Sequence, residues 1–305
     1  MQSPEVMNFF VLSFSAQLRF LSHSFADVAS QCFFTPSLGS SGPERPVTVF
    51  EPYHRRSNAT LGQFPFQVYV VIAKKGWAGR QGSCGGTIVN ERYILTAAHC
   101  LENFEIRPDF KVYMGILDCY QLSESKEVRT VVDVILPEMN ADGTYRHDAD
   151  IAVLKQPIQW SDAVQPIHIF ADDSEFMHLK PFICGFGHTA YGPNDTMGPP
   201  SRFLLWTQVP FASEQFCQEK YAAAKTGNLL CTGKDMKGVN MGDSGGPLFV
   251  NHGGLWAQVG VSSNTFVTNE KTEWPDAFTR TSKFCDFITN ATARSFHCWR
   301  LSNKQ

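Results

Sequence analysis

From about residue 53 onward, short runs of β-branched and aromatic residues recur between turn signals. Phe66–Ala73, Phe110–Gly115, Val128–Leu136, Phe203–Val209 and Trp256–Val261 are the clearest of them. Several alternate apolar and polar positions, as in Phe66-Gln-Val-Tyr-Val70, which is the period of two that a pleated strand imposes. Many short strands of this kind predict an all-β sandwich or barrel. One stretch near the end breaks the pattern. Ser282–Ala293 places apolar residues at 284, 287, 288 and 291, the spacing of one helical face. No internal repeat is visible.

Residues 1–52 read differently. An apolar start is followed by Thr35-Pro-Ser-Leu-Gly-Ser-Ser-Gly-Pro-Glu-Arg-Pro46, rich in chain-punctuating residues and without periodicity. This part is expected to be a leader followed by a propeptide or linker. Asn8–Ala16 is apolar but short, no basic residue precedes it, and Ser24-Phe-Ala26 offers a small-x-small cleavage site. The expectation is a degenerate signal peptide, with Met7 as a candidate start. No stretch reaches the ~18–20 apolar residues of a spanning helix.

Composition narrows the compartment and the partners. The 43% hydrophobic content, with 25 Phe, is enough for a large core in 305 residues. A net charge of -3, without a long Lys or Arg run, gives no electrostatic case for nucleic acid. The 9 cysteines lack the paired C-x-x-C spacing of a metal site, so an oxidising, extracellular setting is expected. The sequons at Asn58, Asn194 and Asn290 agree with export and glycosylation. No metal or other cofactor is expected.

Three local signatures carry chemistry. Asn240-Met-Gly-Asp-Ser-Gly-Gly-Pro247 sets Ser244 on a glycine-lined turn that can aim two backbone N–H groups at one point. Thr96-Ala-Ala-His99-Cys100 lies upstream, and Asp150-Ile-Ala-Val-Leu154 lies between them. Taken singly, each has an ordinary structural reading: a chance turn, a packed histidine, a strand-end charge. In this order and in these settings they resemble the chymotrypsin/trypsin-type serine peptidases, over about residues 53–294. Gly62-Gln-Phe-Pro-Phe-Gln-Val68 and Ser83-Cys-Gly-Gly-Thr-Ile-Val89 are similar to further segments of that family. His147 and Asp148 stand close to Asp150, but the Ile-Ala-Val-Leu that follows Asp150 matches the family's register.

The resemblance implies two six-stranded antiparallel Greek-key barrels with a C-terminal helix, in a domain over 53–294 followed by a tail at 295–305. The catalytic groups would lie in the cleft between the barrels. His99 would take the proton of the Ser244 hydroxyl and return it to the leaving amine, and Asp150 would hold the imidazole in the required tautomer. The amides of Gly242 and Ser244 would form the oxyanion hole. The resemblance also implies disulfides Cys84–Cys100 and Cys217–Cys231, the first worth ~3 kcal/mol in the chain-entropy picture. Cys32, Cys119, Cys184, Cys285 and Cys298 find no partner by this route. The family's bridge beside the serine is missing, because Asn240 stands at its position.

By the same register Gly238, Ser263, Asn264, Thr265 and Asp276 would line the substrate pocket. Gly238 replaces the acid that selects Arg or Lys in trypsin-like members, while Asp276 places an acid on the opposite wall. A basic or mixed preference is one reading; an Asp276 satisfied internally, in a small closed pocket, is the other. Protein or peptide substrates, protein inhibitors as possible partners and a monomeric state are expected.

One departure stands out. In the family, cleavage frees an Ile-Val-Gly-Gly-like terminus whose amine pairs with the aspartate before the serine, here Asp243. Counting back from Gly62 puts that terminus at Tyr53, in Glu51-Pro-Tyr-His-Arg-Arg56, which is neither Ile-Val-like nor preceded by a basic residue. A cut after Arg56 would start the chain at Ser57, and four extended residues span ~13 Å, so that terminus would fall short. Pro46 hinders a cut after Arg45. A non-catalytic secreted binding protein on the same fold is therefore the alternative.

Overall fold

The computed structural model describes residues 56–73, 81–101, 106, 108–138, 150–154, 156–189, 199–233, 238–264 and 274–301. The expected leader and linker at 1–52 lie outside these residues, as do Cys32, Asn194 and Thr265.

The first half of the chain closes into a barrel. Strands β2 (Gln67–Ala73), β3 (Gln81–Asn90), β4 (Tyr93–Thr96), β5 (Lys111–Met114), β6 (Glu127–Ile135) and β7 (Asp150–Leu154) run in the order β2-β3-β4-β7-β6-β5. Neighbours pair antiparallel throughout. Val68, Val70 and Ile72 of β2 point into this barrel, against Ile88, Ile94, Phe110, Val112 and Met114. The alternating pattern of β2 does not leave its other face wet. Tyr69 and Val71 are also buried, in a cluster with Phe64, Phe66 and Phe249. The second barrel supplies that burial.

The second half forms a curled sheet of the order β10-β9-β12-β13-β14-β11. Its strands are β9 (Phe182–Gly185), β10 (Leu205–Gln208), β11 (Leu229–Thr232), β12 (Pro247–His252), β13 (Leu255–Asn264) and β14 (Asp276–Arg280). The two edges are brought together beyond β10. Phe211 bridges Thr232, Ala212 N–H donates to the Cys231 carbonyl at 2.9 Å, and Gly233 N–H donates to the Pro210 carbonyl at 2.9 Å. The short β1 (Ser57–Asn58) adds outside β10, and β8 (His168–Ile169) pairs parallel with β13. The β12–β13 hairpin turns through Gly253 and Gly254, at φ 61° and 91°. Two successive positive φ values suit a tight hairpin and disfavour any residue with a Cβ.

Helix α1 (Ala98–Leu101) is a single turn after β4. Helix α2 (Glu214–Lys220) starts at Ser213, whose Oγ accepts the Phe216 N–H at 3.2 Å, a cap that supplies one missing acceptor. The expected C-terminal helix is a 3-10 turn (Thr281–Phe284) followed by α3 (Cys285–Ala291). Ile288, Ala291 and Phe296 pack in the core of the first barrel, so the end of the chain clasps the barrel made by its beginning. The stretch after α3, expected as a tail, is docked through Trp299, whose N–H donates to the Ile169 carbonyl at 2.8 Å. The disulfide Cys285–Cys298 ties the same region.

Between the barrels lies an aromatic cluster. Phe249 of β12 meets Phe66 edge-on at 5.1 Å between ring centroids, Phe64 at 5.2 Å and Trp256 at 5.3 Å. Edge-to-face contacts of this kind add to the burial of large apolar surface and fix the relative seating of the two halves. Among the described residues, no helix is long and apolar enough to cross a membrane.

Candidate active site

The site is built where the two barrels touch. Thr96, the last residue of β4, pairs with Asp150, the first residue of β7, which sets the Asp150 backbone beside the chain entering α1. His99 sits in that turn, half-buried, and its Nε2 lies 3.9 Å from the Cys100 sulfur. The disulfide Cys84–Cys100 anchors the turn to β3. A second disulfide, Cys217–Cys231, joins α2 to β11. His147 and Asp148 lie outside the described residues.

Ser244, also half-buried, comes from the opposite barrel on a turn just ahead of β12. Gly242 and Gly245 hold φ of 92° and 79° there, in the left-handed region that strains any L side chain. The turn is seated directly on the histidine side of the first barrel. Gly85 N–H donates to the Ser244 carbonyl at 2.8 Å, and Thr96 Oγ1 donates to the Gly85 carbonyl at 2.8 Å. A Cβ on Gly245 would fall 2.2 Å from Thr96 Oγ1, 2.6 Å from the Gly85 oxygen and 2.8 Å from the Ala97 nitrogen. Gly85 in turn leaves no room for a Cβ, which would lie 2.9 Å from Gly246 Cα. Glycine on both sides allows backbone to rest on backbone, so Ser244 is carried to the segment that holds His99 and faces Asp150.

The amides of the turn divide into two sets. Met241 N–H donates to Asn240 Oδ1 at 2.8 Å, Asp243 N–H to the Asn240 carbonyl at 2.9 Å, Gly245 N–H to the Ser262 carbonyl at 2.8 Å and Gly246 N–H to the Asp243 carbonyl at 2.9 Å. The amides of Gly242 and Ser244 meet no acceptor among the described residues. Two such N–H groups on one turn can receive an oxygen that gains negative charge. Asn240, at the position of the missing bridge, donates from Nδ2 to the His188 carbonyl at 2.9 Å, which ties the turn to the segment beyond β9.

Two of the residues expected to line the pocket adjoin one another. Gly238 and Asp276 are both buried, and a Cβ on Gly238 would lie 2.2 Å from Asp276 Oδ2. That same oxygen accepts the Val239 N–H at 2.9 Å. Behind Asp276, the Tyr221 hydroxyl donates to the Pro275 carbonyl at 2.7 Å. Burial, reinforced by the Asp276 charge, pushes the Tyr221 phenol above its ordinary range. Ser263 is half-buried on β13, and the backbone of Asn264 pairs with Ala277 of β14. Of the sequons described, Asn58 on β1 and Asn290 on α3 are exposed.

Arg56 was legible in the sequence only as a potential cleavage point. In the structure its guanidinium is buried beside Asp243, and the one available sign was the register count, which sets Arg56 three residues beyond the expected terminus.

A two-barrel β protein whose histidine-bearing turn and Gly-Asp-Ser-Gly-Gly turn meet at the barrel junction is of the chymotrypsin-like class. The family model named Trypsin matches residues 54–288, so the chain belongs to the trypsin family. It is similar to the venom serine protease Bi-VSP of Bombus ignitus, with 32% identity over 222 residues, 68% of this chain and 59% of that protein. It is also similar to coagulation factor XI of Bos taurus, with 25% identity over 235 residues, 76% of this chain and 36% of that protein. The chain thus spans less than two thirds of the length of either relative. Among solved structures, HL collagenase superposes with a TM-score of 0.64 at 25% identity, covering 80% of this chain and all of that one.

Proposed function

We propose that the protein is an extracellular serine endopeptidase that cleaves peptide bonds through an acyl-enzyme intermediate. The observation that carries this reading is the seating of the Ser244 turn on Gly85, Thr96 and Ala97, which joins the serine to the end of β4, where Thr96 pairs with Asp150 and the chain enters the His99 turn.

In this reading the Ser244 hydroxyl attacks the substrate carbonyl while His99 accepts its proton, because an alcohol is a poor nucleophile at neutral pH without a base. The carbonyl oxygen gains charge as the tetrahedral species forms, and the amides of Gly242 and Ser244 donate to it. His99, held in its tautomer by Asp150, then protonates the leaving amine. Water repeats the sequence on the ester and frees Ser244. Loss of one oxyanion donor in such a site lowers the rate ~10²–10³-fold. The acid at Asp276, against a glycine floor, supports a basic P1 residue within a mixed preference, while its full burial and the bond it accepts from Val239 N–H favour the second reading, a small closed pocket. Three disulfides support an oxidising compartment.

Labelling by a fluorophosphonate tests the assignment. The wild-type chain should label and Ser244→Ala should not. An unlabelled wild type, even after limited proteolysis between residues 45 and 57, would leave a non-catalytic binding protein. A panel of peptide amides tests the pocket: Asp276→Asn should slow Lys and Arg substrates, and equal rates for both proteins would remove Asp276 from specificity.

A further inference from the structure

The aspartate before the serine already has a cation. Arg56 lies just before β1, where Ser57 pairs with Trp206 and Ala59 N–H donates to the Leu204 carbonyl at 2.8 Å. Its side chain turns inward and is only 4% exposed. Nη1 and Nη2 both lie 3.3 Å from Asp243 Oδ2, and Nη2 also donates to the Gly238 carbonyl. Two backbone amides donate to the carboxylate as well. Gly187 N–H donates to Oδ1 at 2.8 Å and Asn240 N–H to Oδ2 at 3.0 Å. The enclosure is tight, since a Cβ on Gly185 would fall 2.1 Å from Asp243 Oδ1 and one on Gly187 2.5 Å from its Cγ.

One guanidinium therefore spans the two segments that a peptidase of this type must hold in shape: residue 238 beside the primary pocket, and residue 243 beside the nucleophile. We propose that Arg56 is a positioning residue that replaces the cleavage-generated α-amine at Asp243, so that the 238–246 loop takes its working shape in the uncut chain. The inference rests on the serine peptidase reading. It also accounts for the region around Tyr53 lacking the sequence of an inserting terminus: the charge comes from a side chain three residues farther on. A planar fork with five donors can serve a carboxylate and a carbonyl together, which an ammonium does less well.

The difference between the two cations can be measured. An α-amine loses its charge near pH 8, whereas a guanidinium keeps it beyond pH 12. Among the described residues, the other titratable groups near the pair are Cys184 on β9, His188 beyond it and Asp276 across Gly238. Burial, with the Asp243 charge adding to it, pushes the Cys184 thiol well above its ordinary range.

The experiment follows fluorophosphonate labelling of the full chain from pH 7 to 11, with intact mass verifying that residues 45–57 are uncut. Wild type, Arg56→Lys and Arg56→Ala are compared, with folding checked by near-ultraviolet circular dichroism. Uncut wild type should label and hold its rate through the alkaline range. Arg56→Ala should label ~10²–10³-fold more slowly, the loss expected when an oxyanion donor is misplaced, and added ethylguanidine should restore part of the rate. Arg56→Lys should label at neutral pH but lose rate, relative to wild type, as its ammonium titrates above about pH 10. Undiminished labelling of Arg56→Ala, or superimposable pH profiles of wild type and Arg56→Lys, would overturn the inference while leaving the peptidase reading intact. Labelling that begins only after a cut, and fades between pH 8 and 10, would do the same. A wild type that labels in no form would remove both.

Discussion

Replacing Gly245 by alanine tests the contact on which the site depends. Two costs fall on that substitution. A Cβ in the left-handed region costs ~1–2 kcal/mol for any L residue, and Gly245 has φ of 79°. The second cost is steric. The new methyl would lie 2.2 Å from Thr96 Oγ1, 2.6 Å from the Gly85 oxygen and 2.8 Å from the Ala97 nitrogen. Thr96 cannot swing away freely, because its hydroxyl is buried and donates to the Gly85 carbonyl, and the other two atoms are backbone. Overpacking of this kind costs ~1–3 kcal/mol. The sum is ~2–5 kcal/mol, which for a domain of this size lowers Tm by ~4–20 °C.

Gly227→Ala isolates the first cost. Gly227 has φ of 73°, and nothing lies within 4 Å of the position a Cβ would take. Its variant should lose only the backbone term, ~1–2 kcal/mol. Calorimetry or urea denaturation of the pair reads the difference directly. In activity, Gly245→Ala should lose at least ~10²-fold in kcat/KM, since a displacement of ~1 Å at a nucleophile is enough for that, while Gly227→Ala should stay near wild type. Adding Thr96→Ala should not rescue Gly245→Ala, because the Gly85 and Ala97 contacts persist. Equal stability losses in the two glycine variants would refute the close seating of the Ser244 turn.

Two further outcomes are expected. Cys285→Ser with Cys298→Ser opens a loop of 13 residues, which should lower stability by ~3 kcal/mol; urea denaturation measures it, and an unchanged midpoint would show that Trp299 and Phe296 dock without the bridge. His168 is half-buried against Trp299, and desolvation lowers its imidazole below the ordinary range, partly offset by a backbone hydrogen bond involving Trp256. The folded protein thus binds this proton more weakly than the unfolded chain, so the contribution is complete at neutral pH and is lost as pH falls below about 6.5. His168→Gln should flatten the decline in urea midpoint over that interval, and parallel curves would exclude the effect.

Much of the architecture could be read from local pattern. The runs at 66–73, 110–115 and 128–136 contain β2, β5 and nearly all of β6, because alternation and β-branched content reflect the pleat itself. The spacing at 284, 287, 288 and 291 names the buried side of the last helical segment for the same reason. The three candidate catalytic signatures were legible one by one, each being a continuous run of a few residues. The partner of Cys285 was not, since nothing in the spacing of Cys32, Cys119, Cys184, Cys285 and Cys298 says which thiols fold together.

The amino-acid sequence alone determined an all-β chain with a terminal helix, and a histidine, an aspartate and a serine each set in a recognisable local frame. Those are properties of neighbouring residues, which share backbone geometry and side-chain period. Tertiary structure decided that both faces of β2 are buried, that Gly245 rests on Thr96 and Ala97, and that Arg56 reaches Asp243 across 187 positions of chain. Contacts of that range depend on how two barrels close and seat against each other. A long arginine side chain looks the same in sequence whether it ends in water or against a buried carboxylate.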